Sequence, residues 1–534
     1  MKKYLLVLVS LCCALLPALA EHPEYPELKK SDANIIGHVL DKKTSEHLPY
    51  ITIALKGTTI GTVTDATGHY FLKNLPEGNF MMEVSSVGYK TVTRSVTLKK
   101  GKTLEENFEL EEDAIALDGV VVSANRSETT RRLAPTLVNV VDLKLFETTN
   151  SSTLSQGLNF QPGVRVETNC QNCGFQQVRI NGLDGPYTQI LIDSRPVFSA
   201  LSGVYGLEQI PASMIERVEV MRGGGSALFG SSAIAGTINI ITKEPLRNSG
   251  QLSHTITSIG GSSAFDNNTS LNASLVTDDH RAGLYIFGQN RHRSGYDYDG
   301  DGFTELPKLK NQTVGFRSYL KTSTYSKLTF EYHHMQEFRR GGDMLDRPPH
   351  EAHIAEQLQH SIDGGSLKYD YFSPNEKNRL SVFASAANTD RDSYYGPGND
   401  PLKAYGKTTD LTAMGGVQYV HTFDKCLFMP SDLTAGLEYN RDRLKDNMWG
   451  YDRHTDQTVK VYSAFLQNEW KNKHWGILIG GRLDKHNMVD DVIFSPRANL
   501  RFNPTDNINL RLSYSSGFRA PQAFDRSEER RVGK

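Results

Sequence analysis

The 534-residue sequence has no apolar run of the about 18 or more residues that a membrane-spanning helix needs, the stretch at its start being shorter. With a mean hydropathy of −0.44, a bundle of membrane helices is excluded. A β-barrel is not, because barrel strands alternate and average out to polar. Charge of one sign is also missing. The 59 Lys+Arg and 61 Asp+Glu leave a net −2, which removes the electrostatic case for nucleic acid as the main partner. Cysteine is scarce: of the five, Cys12 and Cys13 fall in the apolar leader, leaving Cys170, Cys173 and Cys426. No nucleophile–base pair or full set of metal ligands stands out, so no catalytic residues are expected. What is present is glycine and aromatics. The 45 Gly, 23 Tyr and 23 Phe lean towards β structure, and the length towards several domains.

Lys2 and Lys3 precede an apolar run from Tyr4 to about Leu16, and Pro17-Ala18-Leu19-Ala20 follows. This is the pattern of a secretory signal over residues 1–20. Neither Cys12 nor Cys13 follows the small residue that a lipidation site wants. In an exported chain Cys170-Gln171-Asn172-Cys173 is expected to close a small disulfide loop. A single C-x-x-C supplies only two of about four zinc ligands, and Cys426 is left over as a packed thiol.

Residues 34–112 read as a small β-sandwich, with strands at 35–40, 50–55, 70–72, 81–85 and 91–98. Asp65-Ala66-Thr67-Gly68 and Pro76-Glu77-Gly78-Asn79 are turn signals. Gly37-x-Val39-x-Asp41, Gly61-x-Val63-Thr64-Asp65-x-x-Gly68-x-Tyr70-x-Leu72 and Ser86-Val87-Gly88-Tyr89-Lys90 resemble the carboxypeptidase regulatory-like domain. That resemblance implies a non-catalytic module often placed ahead of an outer-membrane receptor. His38 and His69 stand alone among strand and turn residues and read as solvent-facing. No H-x-x-E pair with a distant histidine marks a zinc peptidase. Residues 115–124 form a linker in which Val120, Val121 and Val122 have strong β propensity. An unpaired extended segment of this kind can add as an edge strand to a partner sheet.

From 125 to 243 the pattern changes. Residues 153–158 read as a short helix N-capped by Ser151 or Ser152. Residues 178–183, 189–193, 215–222 and 237–242 read as strands. Arg217 and Glu219 alternate onto one face, where they can pair with each other or with a wall. Residues 223–230 read as a glycine-rich turn. A phosphate cradle would need Lys-Ser or Lys-Thr opening a helix, and that dipeptide is absent. Ile215-Glu216-Arg217-Val218-Glu219-Val220-Met221-Arg222-Gly223, continuing through Gly230 and Gly236 to Asn239 and Thr242, resembles the plug of TonB-dependent outer-membrane receptors. Gly224 stands where proline is usual and Phe229 where tyrosine is common. Arg179, Asn181 and Gly182 match the family's earlier strand, and Asp193 with Arg195-Pro196 the next. The resemblance implies a TonB box at Leu117, Asp118, Gly119, Val120, Val121, Val122 and Ser123.

From 249 to 525 alternating segments of about 10–15 residues recur between turns, about 13 strands in all, the signature of a transmembrane β-barrel. Residues 328–332 put their apolar side chains on one face, as do Ala498, Leu500 and Phe502. The fold expected is therefore mainly β: an N-terminal β-sandwich, an α+β plug and a partial antiparallel transmembrane β-barrel. The family's barrel has about 22 strands, which at this spacing needs on the order of 460 residues. Alternation stops after Asp525 and residues 526–534 end on Lys534, not on an aromatic residue. The expectation is a fragment whose tail 526–534 is atypical. In the loop after Arg293, Asp297, Asp299, Asp301 and Glu305 fit the first part of a calcium loop, but Lys308 stands at position 12, and a solvated acidic loop is the first reading. The family includes members that bind calcium through loop aspartates, but that gives no residue correspondence here. His333 and His334 are neighbours in a strand and face opposite sides, so they cannot share one haem.

The resemblance implies a receptor-transporter of the outer membrane with its N-terminal domain in the periplasm. Its implied partners are TonB of the TonB-ExbB-ExbD complex, a metal chelate or other small nutrient, and outer-membrane lipid, with room for a surface lipoprotein. The implied cargo is of iron-siderophore, haem or cobalamin type. No cofactor is expected beyond the calcium reading. A passive porin and an adhesion protein using the sandwich are the rival readings.

Overall fold

The computed structural model describes residues 30–65, 67–86, 89–112, 120–124, 126, 129–168, 174, 176–196, 210–277, 279–397, 405–505 and 508–519. The leader, Leu117, Asp118, Gly119, Cys170, Cys173 and the tail 526–534 lie outside the described residues.

The N-terminal domain is two four-stranded sheets face to face. In one, Lys30–Asp41 lies between His69–Pro76 and the short strands Thr103–Glu105 and Phe108–Leu110. The other runs Gly61–Val63, Thr52–Leu55, Gly78–Ser85, Val92–Leu98. Period-two alternation buries Ile35, Val39, Ile53, Leu55, Leu72, Val84 and Phe108 in one core between them. Each such side chain contributes about 1.5–3 kcal/mol. The five expected strands are present. The three-residue strands at 61–63, 103–105 and 108–110 went unread because three residues carry too little alternation to stand out. At Gly37 the sheet has no room for a side chain: a Cβ there would sit 1.8 Å from the carbonyl oxygen of Glu106 and 2.9 Å from the Tyr70 ring.

The plug is built on a five-stranded sheet in the order Val138–Asp142, Ile215–Arg222, Gly236–Thr242, Thr188–Ile192, Arg195–Pro196. Thr188–Ile192 is parallel to Gly236–Thr242, and the other pairings are antiparallel. Val164–Thr168 and Gln176–Ile180 form a separate hairpin. Two details differ from expectation. The helix Leu154–Leu158 is N-capped by Thr153, whose backbone is extended, and not by Ser151 or Ser152; the Ser152 N–H is met instead by the side chain of Gln156 at 2.7 Å. The stretch 223–230 is not all turn, because Ser226–Phe229 makes one helical turn with its side chains buried.

Thirteen antiparallel strands then follow in chain order from Ser249–Ser258 to Ile508–Ser515, each paired with its sequence neighbour. Among the described residues the first and last strands do not pair, so the sheet is open. The expected count of about 13 holds, but the lengths do not: Tyr405–Cys426 has 22 residues and Asn378–Pro397 has 20. The extensions carry polar residues on both faces, and there the alternating signal fades. Along Val492–Thr505, Arg497, Asn499 and Arg501 point inward and are buried, whereas Leu500 is exposed on the outer face. Leu252, Leu437, Tyr462, Leu466, Ile479, Phe494 and Leu512 extend that outer apolar face. An area so large is explained by contact with lipid.

The two edges of the sheet differ. On one, strands join through short turns at 324–325, 427–428 and 472–474; on the other, connections run to 294–307 and 343–353. Aromatic pairs Phe428–Trp470 and Trp475–Phe502 stack at the short-turn edge, with centroids 5.7 and 4.2 Å apart, where an interfacial aromatic girdle belongs. The sandwich meets this same edge: the Thr59 N–H donates to the Thr324 carbonyl at 2.9 Å. Gly37→Ala should lower the stability of the sandwich by about 1–3 kcal/mol through overpacking. Limited proteolysis is expected to find new cleavage within residues 31–112 while the thirteen-stranded sheet keeps its wild-type resistance.

Candidate coupling site between plug and wall

The two-residue period of Ile215–Arg222 places Arg217, Glu219 and Met221 on one face. The register with Gly236–Thr242 sets Glu219 directly opposite Asn239. Both side chains are 0% exposed, and so is Ser123 of the linker. Their polar atoms bind one another. One oxygen of Glu219, Oε2, accepts from the backbone N–H of Val122 at 2.9 Å, the N–H of Ser123 at 2.8 Å and the Ser123 hydroxyl at 2.7 Å. The other, Oε1, accepts from Arg217 at 3.0 Å. Asn239 Nδ2 donates to the hydroxyls of Ser123 and Ser194, each at 3.0 Å, while its Oδ1 accepts from the Ser194 N–H at 2.8 Å. A buried carboxylate is tolerable only when saturated in this way.

Val121 and Ala124 flank the clasp and bury against Met221, Leu228, Phe229 and Ala233. Residues 121–124 are thus held by apolar packing at both ends and by a shared carboxylate in the middle. The expectation of an unpaired strand here is corrected: Val120–Val121 pairs antiparallel with Thr129–Thr130. That pairing uses the hydrogen-bonding groups of Val120 and Val121 locally.

The segment also grips the wall. Arg497 donates to the Ala124 carbonyl at 2.7 Å, and Gln418 to the Arg126 carbonyl at 3.0 Å. The Arg126 guanidinium lies between the rings of Phe229 and Phe465, 4.9 Å from each centroid, and pairs with Glu438. Glu438 in turn binds Arg482 at 2.7 Å, and Arg482 binds Asp484 at 2.8 Å. A second contact lies on another part of the wall. Arg317 reaches Asp193 at 2.6 Å, Glu331 at 2.5 Å and Glu244 at 3.3 Å. Burial works to raise the Asp193 carboxyl, but Arg317 and the Thr242 hydroxyl outweigh it and hold the group below the usual carboxylate range. A cavity of about 60 Å³ opens beside Arg317, with His333 in its lining. His334 turns instead to Asp363 at 2.9 Å.

Of the residues singled out in the sequence, Val121, Val122, Ser123, Arg217, Glu219 and Asn239 converge here. The others shape the plug elsewhere. Arg179 pairs with Glu167 at 2.6 Å and Asp184 at 3.0 Å. Asn181 and Gly182 turn the chain with φ of 53° and 84°. Arg222 binds the Pro162 carbonyl, and Gly223 and Gly230 take positive φ. A Cβ on Gly236 would sit 2.3 Å from the Met221 oxygen, so the central strand pair requires glycine there. In the acidic loop Asp297, Asp299 and Glu305 bring one carboxylate oxygen each within 4.8 Å of the others, an all-oxygen set suited to a hard cation such as calcium. Asp301 is not among them; its carboxylate accepts from the Phe303 N–H at 2.8 Å. Asp297 likewise accepts from Gly300 and Gly302 at 2.7 and 2.8 Å. Sequence reading missed Arg126, Glu438, Arg482, Arg317 and Glu331. A charge between outward apolar neighbours, as Glu438 is between Leu437 and Tyr439, signals an inward position. Nothing in the sequence says which inward charge meets the plug.

Three family models match consecutive stretches: a CarboxypepD_reg-like domain at 35–122, a TonB-dependent Receptor Plug Domain at 130–237, and a TonB dependent receptor-like beta-barrel at 237–529. The last alone covers more than half of the chain, and the chain belongs to the TonB-dependent receptor family. Among curated relatives, the vitamin B12 transporter BtuB of Vibrio vulnificus strain CMCP6 is 24% identical over 424 residues, 76% of this chain and 64% of that protein. The ferric enterobactin receptor of Pseudomonas aeruginosa is 23% identical over 480 residues, 76% of this chain and 61% of that one. The chain therefore spans less than two thirds of the length of these relatives. The crystal structure of the siderophore receptor PirA from Acinetobacter baumannii shares the fold with a TM-score of 0.63 at 19% identity, covering 73% of this chain and 62% of that one.

Removing the Glu219 carboxylate orphans three buried donors on Val122 and Ser123, at about 1–3 kcal/mol for each such group. Glu219→Ala is accordingly expected to speed amide exchange at residues 121–124 by about 10- to 100-fold relative to wild type. Hydrogen exchange by mass spectrometry on the full chain checks this, and unchanged protection there would refute the role given to Glu219.

Proposed function

We propose that the chain serves in TonB-dependent uptake of a scarce nutrient across the outer membrane. The observation that carries this reading is the clasp: residues 121–124, which overlap the end of the box sequence at 117–123, are fastened through Glu219 and Asn239 to the two central strands of the plug. A partner strand that pairs with the box ahead of the clasp gains its hold through backbone hydrogen bonds. A pull on it is delivered to the middle of the plug sheet and not to a loose tail. TonB of the TonB-ExbB-ExbD complex is the partner proposed.

Orientation follows from the two edges. Barrels of this class turn tightly on the periplasmic side and loop widely outside. The sandwich meets the short-turn edge, which supports a periplasmic placement for it, with the long polar connections facing the exterior, where substrate binds together with the upper face of the plug. Outer-membrane lipid covers the apolar face, and a surface lipoprotein is a further partner that the class admits. The named relatives support a substrate of iron-siderophore or cobalamin type, with haem in the same class of scarce metal chelates. Transport of this kind makes and breaks no covalent bond, so the reading is of a receptor and not of an enzyme.

The test uses cells that express the complete reading frame in a receptor-deficient strain, offered iron-siderophore, haem and cobalamin in turn. Growth rescue is expected on one class of nutrient. Deleting residues 117–123 is expected to cut uptake of that nutrient at least tenfold while surface binding persists. Uptake that survives the deletion would favour a passive porin.

A further inference from the structure

The sandwich domain carries a group of side chains that the transport reading leaves unused. His38 lies on Lys30–Asp41 and is the cross-strand partner of His69 on His69–Pro76. The chain after Asp41 turns back along the same edge, where His47 bridges Leu40 and the Leu48 N–H donates to the Val39 carbonyl at 2.8 Å. Three imidazoles from three adjacent backbone segments thereby meet at the domain surface. Their ring centroids are 5.2 Å apart for His38–His47, 5.8 Å for His38–His69 and 4.8 Å for His47–His69. Three imidazoles around one tetrahedral zinc, with Zn–N near 2.0–2.1 Å, place their centroids about 5 Å apart. The triangle of rings has that size, but among the described residues Asp297, Asp299 and Glu305 alone bring one donor atom each within 4.8 Å of one another, so the imidazoles must turn before one nitrogen of each faces a metal.

A second observation concerns His69 alone. The Thr67 hydroxyl donates to Asp65 Oδ1 at 2.7 Å and lies 3.1 Å from His69 Nδ1. Its one hydrogen is committed to the carboxylate, so towards His69 it can only accept. Nδ1 therefore carries the proton and Nε2 keeps the free lone pair. A histidine whose second nitrogen is oriented through a carboxylate is the usual support of a metal ligand.

The geometry points to a surface site for a divalent late transition metal, zinc(II) by preference, formed by His38, His47 and His69 with water in the fourth position. Imidazole donors select zinc, copper or nickel over calcium or magnesium. His38 and His69 stand at the unspecified positions of Gly37-x-Val39 and Gly68-x-Tyr70. The isolated reading of these two histidines is thereby replaced. His47, beyond a turn, was invisible to it.

The experiment titrates the purified full chain, stripped with EDTA, with Zn(II) against a chromogenic chelator of micromolar affinity. One bound equivalent is expected to depend on the triad. His47→Ala and His69→Ala should each weaken it at least tenfold, and replacing all three histidines by alanine should remove it. Asp297→Asn combined with Asp299→Asn should leave it intact. Electron paramagnetic resonance of the Cu(II)-loaded chain should show nitrogen hyperfine structure that the triple variant loses. All three side chains lie at the surface, so the metal-free melt of each variant should match wild type. An equivalent retained in the triple variant, or no metal taken up by wild type in the competition, overturns the assignment.

Discussion

A carboxylate sealed from water sets the terms for the plug. Glu219 is buried with one oxygen facing two backbone N–H groups and a hydroxyl, and the other facing Arg217. Such a group destabilises the fold if any large share of its partners is absent, because its lost hydration is replaced only by those contacts. The linker must come to it, the strand of Asn239 must stay in register, and Arg217 must lie on the same face. The path of the chain at residues 122–123 and the register of the central strands are tied to satisfying that one charge.

The wall repeats the same logic at larger scale. Outward positions of the thirteen strands are rich in apolar side chains and inward ones carry buried charge, and several of these charges are met by a partner on the plug or on a neighbouring strand. Glu438 joins Arg126 to Arg482, and Arg317 joins Asp193 to Glu331. Because the pairs are charged and enclosed, breaking one partner exposes the other to an environment that cannot solvate it. These charge pairs seat the plug together with apolar packing of Tyr285 and Phe287 against its core.

The metal site proposed on the sandwich has a different origin. It does not depend on enclosure. His47 and His69 are exposed and His38 half-buried, and what unites them is the antiparallel register that sets His38 against His69 and folds His47 in beside them. The proposed transport and the proposed metal binding therefore rest on separate parts of the chain, and a failure of one proposal leaves the other standing.

Much of this was legible in the residues. The two-residue alternation of the wall, the glycines of the plug motif and the strand-and-turn rhythm of the sandwich are local signals, since each reports which way a side chain points relative to its own neighbours. The same local logic put Arg217 and Glu219 on one face. What no local pattern contains is which distant segment a face will meet. The pairing of Val120–Val121 with Thr129–Thr130, the contact of Glu219 with Ser123 across 96 residues of chain and of Arg126 with Glu438 across 312, and the meeting of three histidines around one strand edge are long-range events. By itself the sequence determined the class of fold and the facing of its side chains. Only the tertiary structure decided the partners, because a buried charge or a shared ligand is satisfied by proximity in space, which strand order and register create and sequence separation does not reveal.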